Sequence, residues 1–188
     1  MAKPASNARL SRTLFMRGMG ITYLAAFISL WVQLSGLIGA EGISPASEVL
    51  DGFRAQISSS PDLSVWHFPT VFWLLGGDDA ILHLVAGMGC LSAVLLVLGW
   101  SPRLSLIILW LTYVSFFTVT QPFLGFQWDI LLLESSLLAI FYAPSGLGWT
   151  LPRSVEPPRW MVWALRFLLF KLIVSSGLVK LASGDSSW

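Results

Sequence analysis

The sequence predicts an all-α membrane protein, a polytopic transmembrane helical bundle of about five spanning helices with short interfacial helices in one outer loop. Of its 188 residues, 55% are hydrophobic and only 11% are charged, whereas roughly 25% of the residues of a soluble domain are charged. The chain contains 10 Trp and 12 Phe residues, and aromatic rings collect at membrane interfaces. Five apolar segments approach or reach the length of about 20 residues that a helix needs to cross the hydrocarbon layer.

Five predicted spans make up residues 19–182, the predicted transmembrane domain. They cover residues 19–39, 80–100, 103–120, 127–142 and 160–182. The first three contain no charged side chain apart from Arg103 at the start of the third. The last two contain charges, but we interpret them as helices because irregular backbone cannot face lipid. The first span is longer than a signal-peptide core, so we expect an uncleaved helix, with cleavage near Gly39-Ala40 as the alternative.

Lys and Arg residues are concentrated on one side of this topology. Four lie in the basic tail of residues 1–18, one in the turn after the second span and two between the fourth and fifth spans, seven in all, against Arg54 alone on the other side. The positive-inside rule then predicts a cytoplasmic N-terminus and a non-cytoplasmic C-terminus. The membrane would be the bacterial inner membrane, or the endoplasmic reticulum in a eukaryote. Residues 183–188 would begin a non-cytoplasmic segment that is truncated here.

The outer loop of residues 41–79 is long enough to carry structure of its own. Ser44-Pro45 is a typical helix start, and four apolar side chains then share one helical face: Ala46, Leu50, Phe53 and Ile57. This pattern predicts a short amphipathic helix in the outer interface. A second segment of the loop, more deeply buried, is expected around Phe72 and should end at Gly76-Gly77. The loop would be either an ordered cover over the bundle or a docking platform for a partner or substrate.

Ionisable residues inside the last two spans form the candidate site, because intramembrane charges usually pair or face a polar cavity. Antiparallel packing would place Glu134 of the fourth span opposite Lys171 of the fifth, near mid-depth. Asp129 and Lys180 would then form a second ion pair nearer the outer side. Arg166 lies about one turn from the cytoplasmic end and can extend towards water. Structural pairing, a proton relay or catalytic pair, and a ligand or partner site all remain open.

Other polar residues give no sign of a catalytic, cofactor or metal site. Arg166, His83 and Gln33 are predicted to be buried polar residues, and we expect His83 to serve packing rather than ligand binding. Neither a metalloprotease motif nor a Gly-rich phosphate loop is present, and the single cysteine, Cys90, excludes an internal disulfide. The net charge of +1 lacks the basic excess of a nucleic-acid-binding surface. We therefore predict no cofactor, no metal and no nucleic-acid partner.

Three strings of residues resemble the lipase maturation factor family, and together they extend over most of the chain. The first is Trp31-Val32-Gln33 with Gly36-Leu37-Ile38-Gly39, the second Phe126-Gln127-Trp128-Asp129 through Glu134-Ser135 to Ala143-Pro144, and the third Arg166 through Lys171 to Ser175-Ser176-Gly177 and Ser183-Gly184-Asp185. The family is distantly related to the helical membrane domain of vitamin K-dependent carboxylases. The resemblance implies a polytopic membrane protein, and eukaryotic members assist the folding of secreted lipases. Family members continue past the equivalent of Trp188, so the chain looks like a fragment or a shortened paralogue.

Three functions follow as hypotheses. The resemblance implies a factor that assists the folding or assembly of exported or membrane proteins. The small size and the many interfacial aromatic residues also suit a structural accessory subunit of a larger membrane complex. A membrane enzyme would use Glu134 and Lys171 for acid–base chemistry. In each case the expected partners are the lipid bilayer and other membrane or exported proteins.

Overall fold

Helices dominate the computed structural model, which describes residues 4–121, 123–149 and 158–184. Within these residues there are seven α-helices and one 3-10 turn, and no strand longer than a single bridge. The helices are α1 (Pro4–Ile38), α2 (Ala46–Ser59), α3 (Phe72–Leu75), α4 (Asp79–Leu98), α5 (Pro102–Thr120), α6 (Gln127–Tyr142) and α7 (Arg159–Ala182), with the 3-10 turn at Val65–His67. The predicted all-α bundle is confirmed.

The apolar helices correspond to the predicted spans. The bounds of α4 to α7 lie within two residues of the predicted ones, whereas α1 begins at Pro4 and includes part of the basic tail. Four helices are long and apolar enough to cross a membrane, namely α1 from Leu10 onwards, α4, α5 and α7. At 16 residues, α6 is shorter than these.

A stripe of apolar residues on α1 forms the centre of the core. Its members recur every three or four residues, as one face of a helix requires, and each is at most 8% exposed: Met16, Met19, Tyr23, Phe27, Leu30, Leu34 and Ile38. α4 packs along this stripe, and small residues let the two backbones approach closely. Gly89 lies against the ring of Phe27, and Gly87 lies beneath the indole of Trp31.

The helices α5 and α6 are tied together at the end of the bundle where α5 begins. Ser101 donates its N–H to Gly148 O (2.9 Å), and Gly148 N–H returns a bond to Ser101 Oγ (2.8 Å). Arg103 Nη2 donates to Ala143 O (2.8 Å). These bonds join the start of α5 to the residues after α6, so α6 ends near the level at which α5 begins.

The outer loop lies over the bundle as an ordered cover. Ala46, Leu50 and Phe53 on the apolar face of α2 are at most 5% exposed, so that this face packs against protein. Ile57, predicted on the same face, is half-buried. Phe72 of α3 is fully buried, with its ring 5.3 Å from that of Phe116, in agreement with the deeper piece expected there.

Candidate functional site

Glu134 and Lys171 meet between α6 and α7. Lys171 Nζ lies 2.5 Å from Glu134 Oε1, and the side chains are 50% (Lys171) and 37% (Glu134) exposed. The two residues line one open groove together with neighbours from both helices: Gln127, Ile130, Leu131, Leu168, Leu172 and Ser175. The α7 members recur at helical spacing on the face that turns towards α6.

The chemistry of this groove is that of a compensated ion pair. Each charge neutralises the other, which removes much of the cost of holding either one among apolar residues. Gln127 Nε2 lies 3.5 Å from Ser176 Oγ, adding a weak polar contact between the same two helices. The arrangement can hold α7 against α6, and it would present an acid and a base to a ligand only if the pair opened.

Asp129 has partners other than the predicted Lys180. It is 4% exposed, and its Oδ1 accepts the hydroxyl of Tyr113 at 2.6 Å. Its Oδ2 accepts the backbone N–H of Phe126 at 3.2 Å. Asp129 lies in the first turn of α6, where backbone N–H groups lack helical partners, so its carboxylate turns back towards them and towards α5. Lys180 lies on the exposed surface of α7.

Two buried tyrosines, Tyr23 and Tyr113, extend the polar cluster around Asp129, and our sequence analysis did not single them out. Tyr23 donates to Ser136 Oγ at 2.6 Å, and its ring packs edge-on against Tyr113 with 5.5 Å between centroids. The cluster therefore joins α1, α5 and α6 through hydroxyl and carboxylate groups. The one available signal was the position of Tyr23 within the apolar stripe of α1, where a buried phenol needs a polar partner.

His83 connects α4 to α1 through both ring nitrogens. Its Nδ1 accepts the indole N–H of Trp31 at 2.8 Å, so the ring proton resides on Nε2. Nε2 lies 3.1 Å from Ser35 Oγ, to which it can donate. These contacts join α4 to α1, and His83 is half-buried between the two helices.

Gln33 and Arg166 are exposed, although both were predicted to be buried. Each lies on a helix face that turns away from the described bundle. Gln33 Nε2 donates to Ser29 O of the same helix at 3.0 Å, and the Arg166 guanidinium lies 5.4 Å from the ring centroid of Trp163. Cys90 is half-buried on α4. In the described part of the chain, no three His, Cys, Asp or Glu residues are grouped closely enough to hold a metal ion.

Comparisons with known proteins agree over nearly the whole chain. Residues 10–188 match the family model described as Lipase maturation factor transmembrane domain. Lipase maturation factor 2 of Xenopus tropicalis is 39% identical over 96% of this chain and 26% of its own length. Human lipase maturation factor 2 is 37% identical over 97% of this chain and 27% of its own length. Mouse lipase maturation factor 1 is 30% identical over 95% of this chain and 32% of its own length. The chain thus spans only about a quarter to a third of these relatives.

No solved structure matches the chain. The resemblance seen in the sequence is confirmed by the family match. Together with the four apolar helices, it makes the chain an integral membrane protein.

Proposed function

Because this chain belongs to the lipase maturation factor family, we propose that it is the membrane domain of a factor that assists the folding or assembly of exported proteins. The observation that carries the proposal is the family match over residues 10–188. The names of the relatives point to lipases as the clients.

The outer loop supplies the surface on which such a factor would act. We place the N-terminus in the cytoplasm and the loop of residues 41–79 on the opposite side, in line with the distribution of Lys and Arg. α2 buries its apolar face against the bundle and presents its polar face outwards, including Glu48, Asp51 and Arg54. The polar outer face of α2 suits brief contact with a folding client better than permanent burial in an interface.

The test is the specific activity of a secreted lipase in cells that lack the gene. We expect the activity per amount of lipase protein to fall severalfold and to recover when the intact gene is returned. A secreted enzyme that is not a lipase serves as the control and should keep its specific activity. An unchanged lipase activity in the deletion strain would refute a role in lipase maturation.

A structural accessory subunit is the second candidate, and the exposure of α7 favours it. None of the residues in the most apolar window of α7 is buried in the described structure, so the faces of α7 that do not contact α6 are available to a membrane partner. Purification in mild detergent from cells that express the tagged protein at its natural locus separates the two functions. Membrane partners in stoichiometric amount would identify a subunit, whereas exported lipases in substoichiometric amount would identify a maturation factor.

A further inference from the structure

We propose that residues 69–75 form a re-entrant segment that dips into the hydrocarbon layer on the side where α5 ends, with Leu74 and Leu75 against lipid acyl chains. The inference does not depend on the function proposed above or on the orientation of the chain. It needs only that α5 crosses the membrane. Three observations support it: the depth of the segment, the pairing of its backbone and the direction of its side chains.

The depth follows from hydrogen bonds to α5. Val71 N–H donates to Ser115 Oγ at 2.9 Å, and Thr118 Oγ1 donates to Pro69 O at 2.8 Å. Ser115 lies five residues before the end of α5 at Thr120, or about 7.5 Å along a helix. With 19 residues, α5 is about 28 Å long, close to the hydrocarbon thickness of about 30 Å. Val71 therefore lies well inside the layer.

Four of the six backbone N–H groups of residues 69–75 are paired within the protein, which lowers the cost of bringing this backbone into lipid. Non-helical backbone is tolerated at membrane depth only where its polar groups are paired within the protein. Besides the bonds of Pro69 and Val71, Phe68 O accepts Trp73 Nε1 at 2.8 Å, and Phe72 N–H donates to Thr70 Oγ1 at 3.2 Å. The short helix α3 then pairs the N–H groups of Leu74, Leu75 and Gly76.

The side chains divide between protein and surroundings. Phe72 is fully buried, whereas Leu74 is 91% and Leu75 is 46% exposed. Leu74 and Leu75 both donate their backbone N–H to Val71 O, so these two exposed leucines lie near the depth of Val71 and face acyl chains. Trp66 is 90% exposed and lies three residues before Pro69. The carbonyl of Pro69 accepts a hydrogen bond from Thr118, which lies two residues, or about 3 Å along the helix, before the end of α5. This end of α5 is the level of the membrane interface, where Trp rings concentrate.

A spin label at position 74 tests the proposal. Cys90 is the only cysteine, so each label is placed by one substitution in a C90A background, and the protein is reconstituted into phosphatidylcholine liposomes. The ratio of collisions with oxygen to collisions with a water-soluble nickel complex reports depth. For L74C we expect a ratio within about twofold of that for L111C on the exposed side of α5 and at least fivefold above that for S58C. Ser58 lies on the exposed face of α2 and provides the aqueous reference.

Two outcomes would overturn the inference. A ratio for L74C close to that of S58C would place the segment in water. Few collisions with both reagents would mean that protein covers Leu74, for example a second copy of the chain or a client. L75C provides a second position if L74C fails to fold, as judged by its helix content in detergent. The spin-label measurement reports only the depth of the segment. A result that contradicts the re-entrant segment therefore leaves the proposed role in lipase maturation untouched.

Discussion

The surroundings of Asp129 show how a carboxylate is accommodated among apolar helices without a cation. Tyr113 and the N–H of Phe126 donate to its two oxygens. Asp129 also lies in the first turn of α6, where the helix dipole favours negative charge. These three contributions stabilise Asp129 in place of the ion pair with Lys180, which was predicted from the similar depth of the two residues in the membrane.

The substitution D129N should therefore lower the free energy of unfolding by about 2 kcal/mol, since a hydrogen bond to a charged group contributes about 1.5–3 kcal/mol. Chemical or thermal unfolding in detergent measures the change. Y23F is the matched comparison: it removes a buried hydroxyl that is bonded to the neutral Ser136 and should cost about 1 kcal/mol. If D129N were no less stable than Y23F, the carboxylate would not be the stabilising partner.

The pairing of individual side chains was only partly accessible from the sequence. Glu134 and Lys171 could be set opposite each other because both lie near the middle of consecutive antiparallel helices, and the structure brings them together. The partner of Asp129 could not be found in this way. Tyr113 belongs to α5, and helical spacing does not reveal which α5 residue meets the first turn of α6.

Among the four helices long enough to cross a membrane, α7 is attached to the described bundle in the least extensive way. Met161 is its one buried residue in the described chain. Its other contacts with α6 include the groove around Glu134 and Lys171 and the rings of Phe141 and Trp160, whose centroids are 6.4 Å apart. The ion pair is therefore the main polar contact that fixes where α7 lies along α6.

A double-mutant cycle across this pair measures that role. We expect E134Q and K171M each to lower the free energy of unfolding by about 1–3 kcal/mol, because each leaves an uncompensated charge at an apolar interface. The double variant should lose at least about 1 kcal/mol less than the two single losses added together. R166M removes another cation of α7, one that lies over Trp163 of the same helix, and should change stability by less than about 0.5 kcal/mol.

The same cycle separates a structural pair from a catalytic one. If E134Q abolished the function of the protein while leaving its stability unchanged, the carboxylate would take part in chemistry and the structural interpretation would be wrong.

The extent of each helix was easier to predict than its surroundings. The predicted third span and α5 both end at Thr120, before Gln121. The predicted second span runs to Trp100, two residues past the end of α4 at Leu98, because Gly99 adopts a left-handed conformation that ends the helix. The packing of α2 was not accessible in the same way. Its apolar stripe suits a lipid interface and a protein surface equally well, and only the tertiary structure shows Leu50 and Phe53 buried against the bundle.

The ends of the bundle bear on how many times the chain crosses the membrane. Ser101 has φ of 41°, a left-handed conformation that costs free energy for a residue other than glycine, and it is held by two bonds to Gly148. At the other end, Asp129 joins the start of α6 to Tyr113 of α5. α6 therefore extends over nearly the depth of α5, although its 16 residues measure only about 24 Å.

We therefore expect α6 to cross the membrane, which gives five crossings and places the two ends of the chain on opposite sides. Fusions to alkaline phosphatase, active only outside the cytoplasm, and to green fluorescent protein, fluorescent only inside it, test this in a bacterial host. A fusion after Gly184 retains every loop charge, and it should be active with phosphatase and dark with the fluorescent protein. A fusion after Gly125, beyond three crossings, is the control and should behave in the same way. If the Gly184 fusion were fluorescent while the Gly125 fusion remained dark, the number of crossings would be even and α6 would lie within the membrane without passing through it.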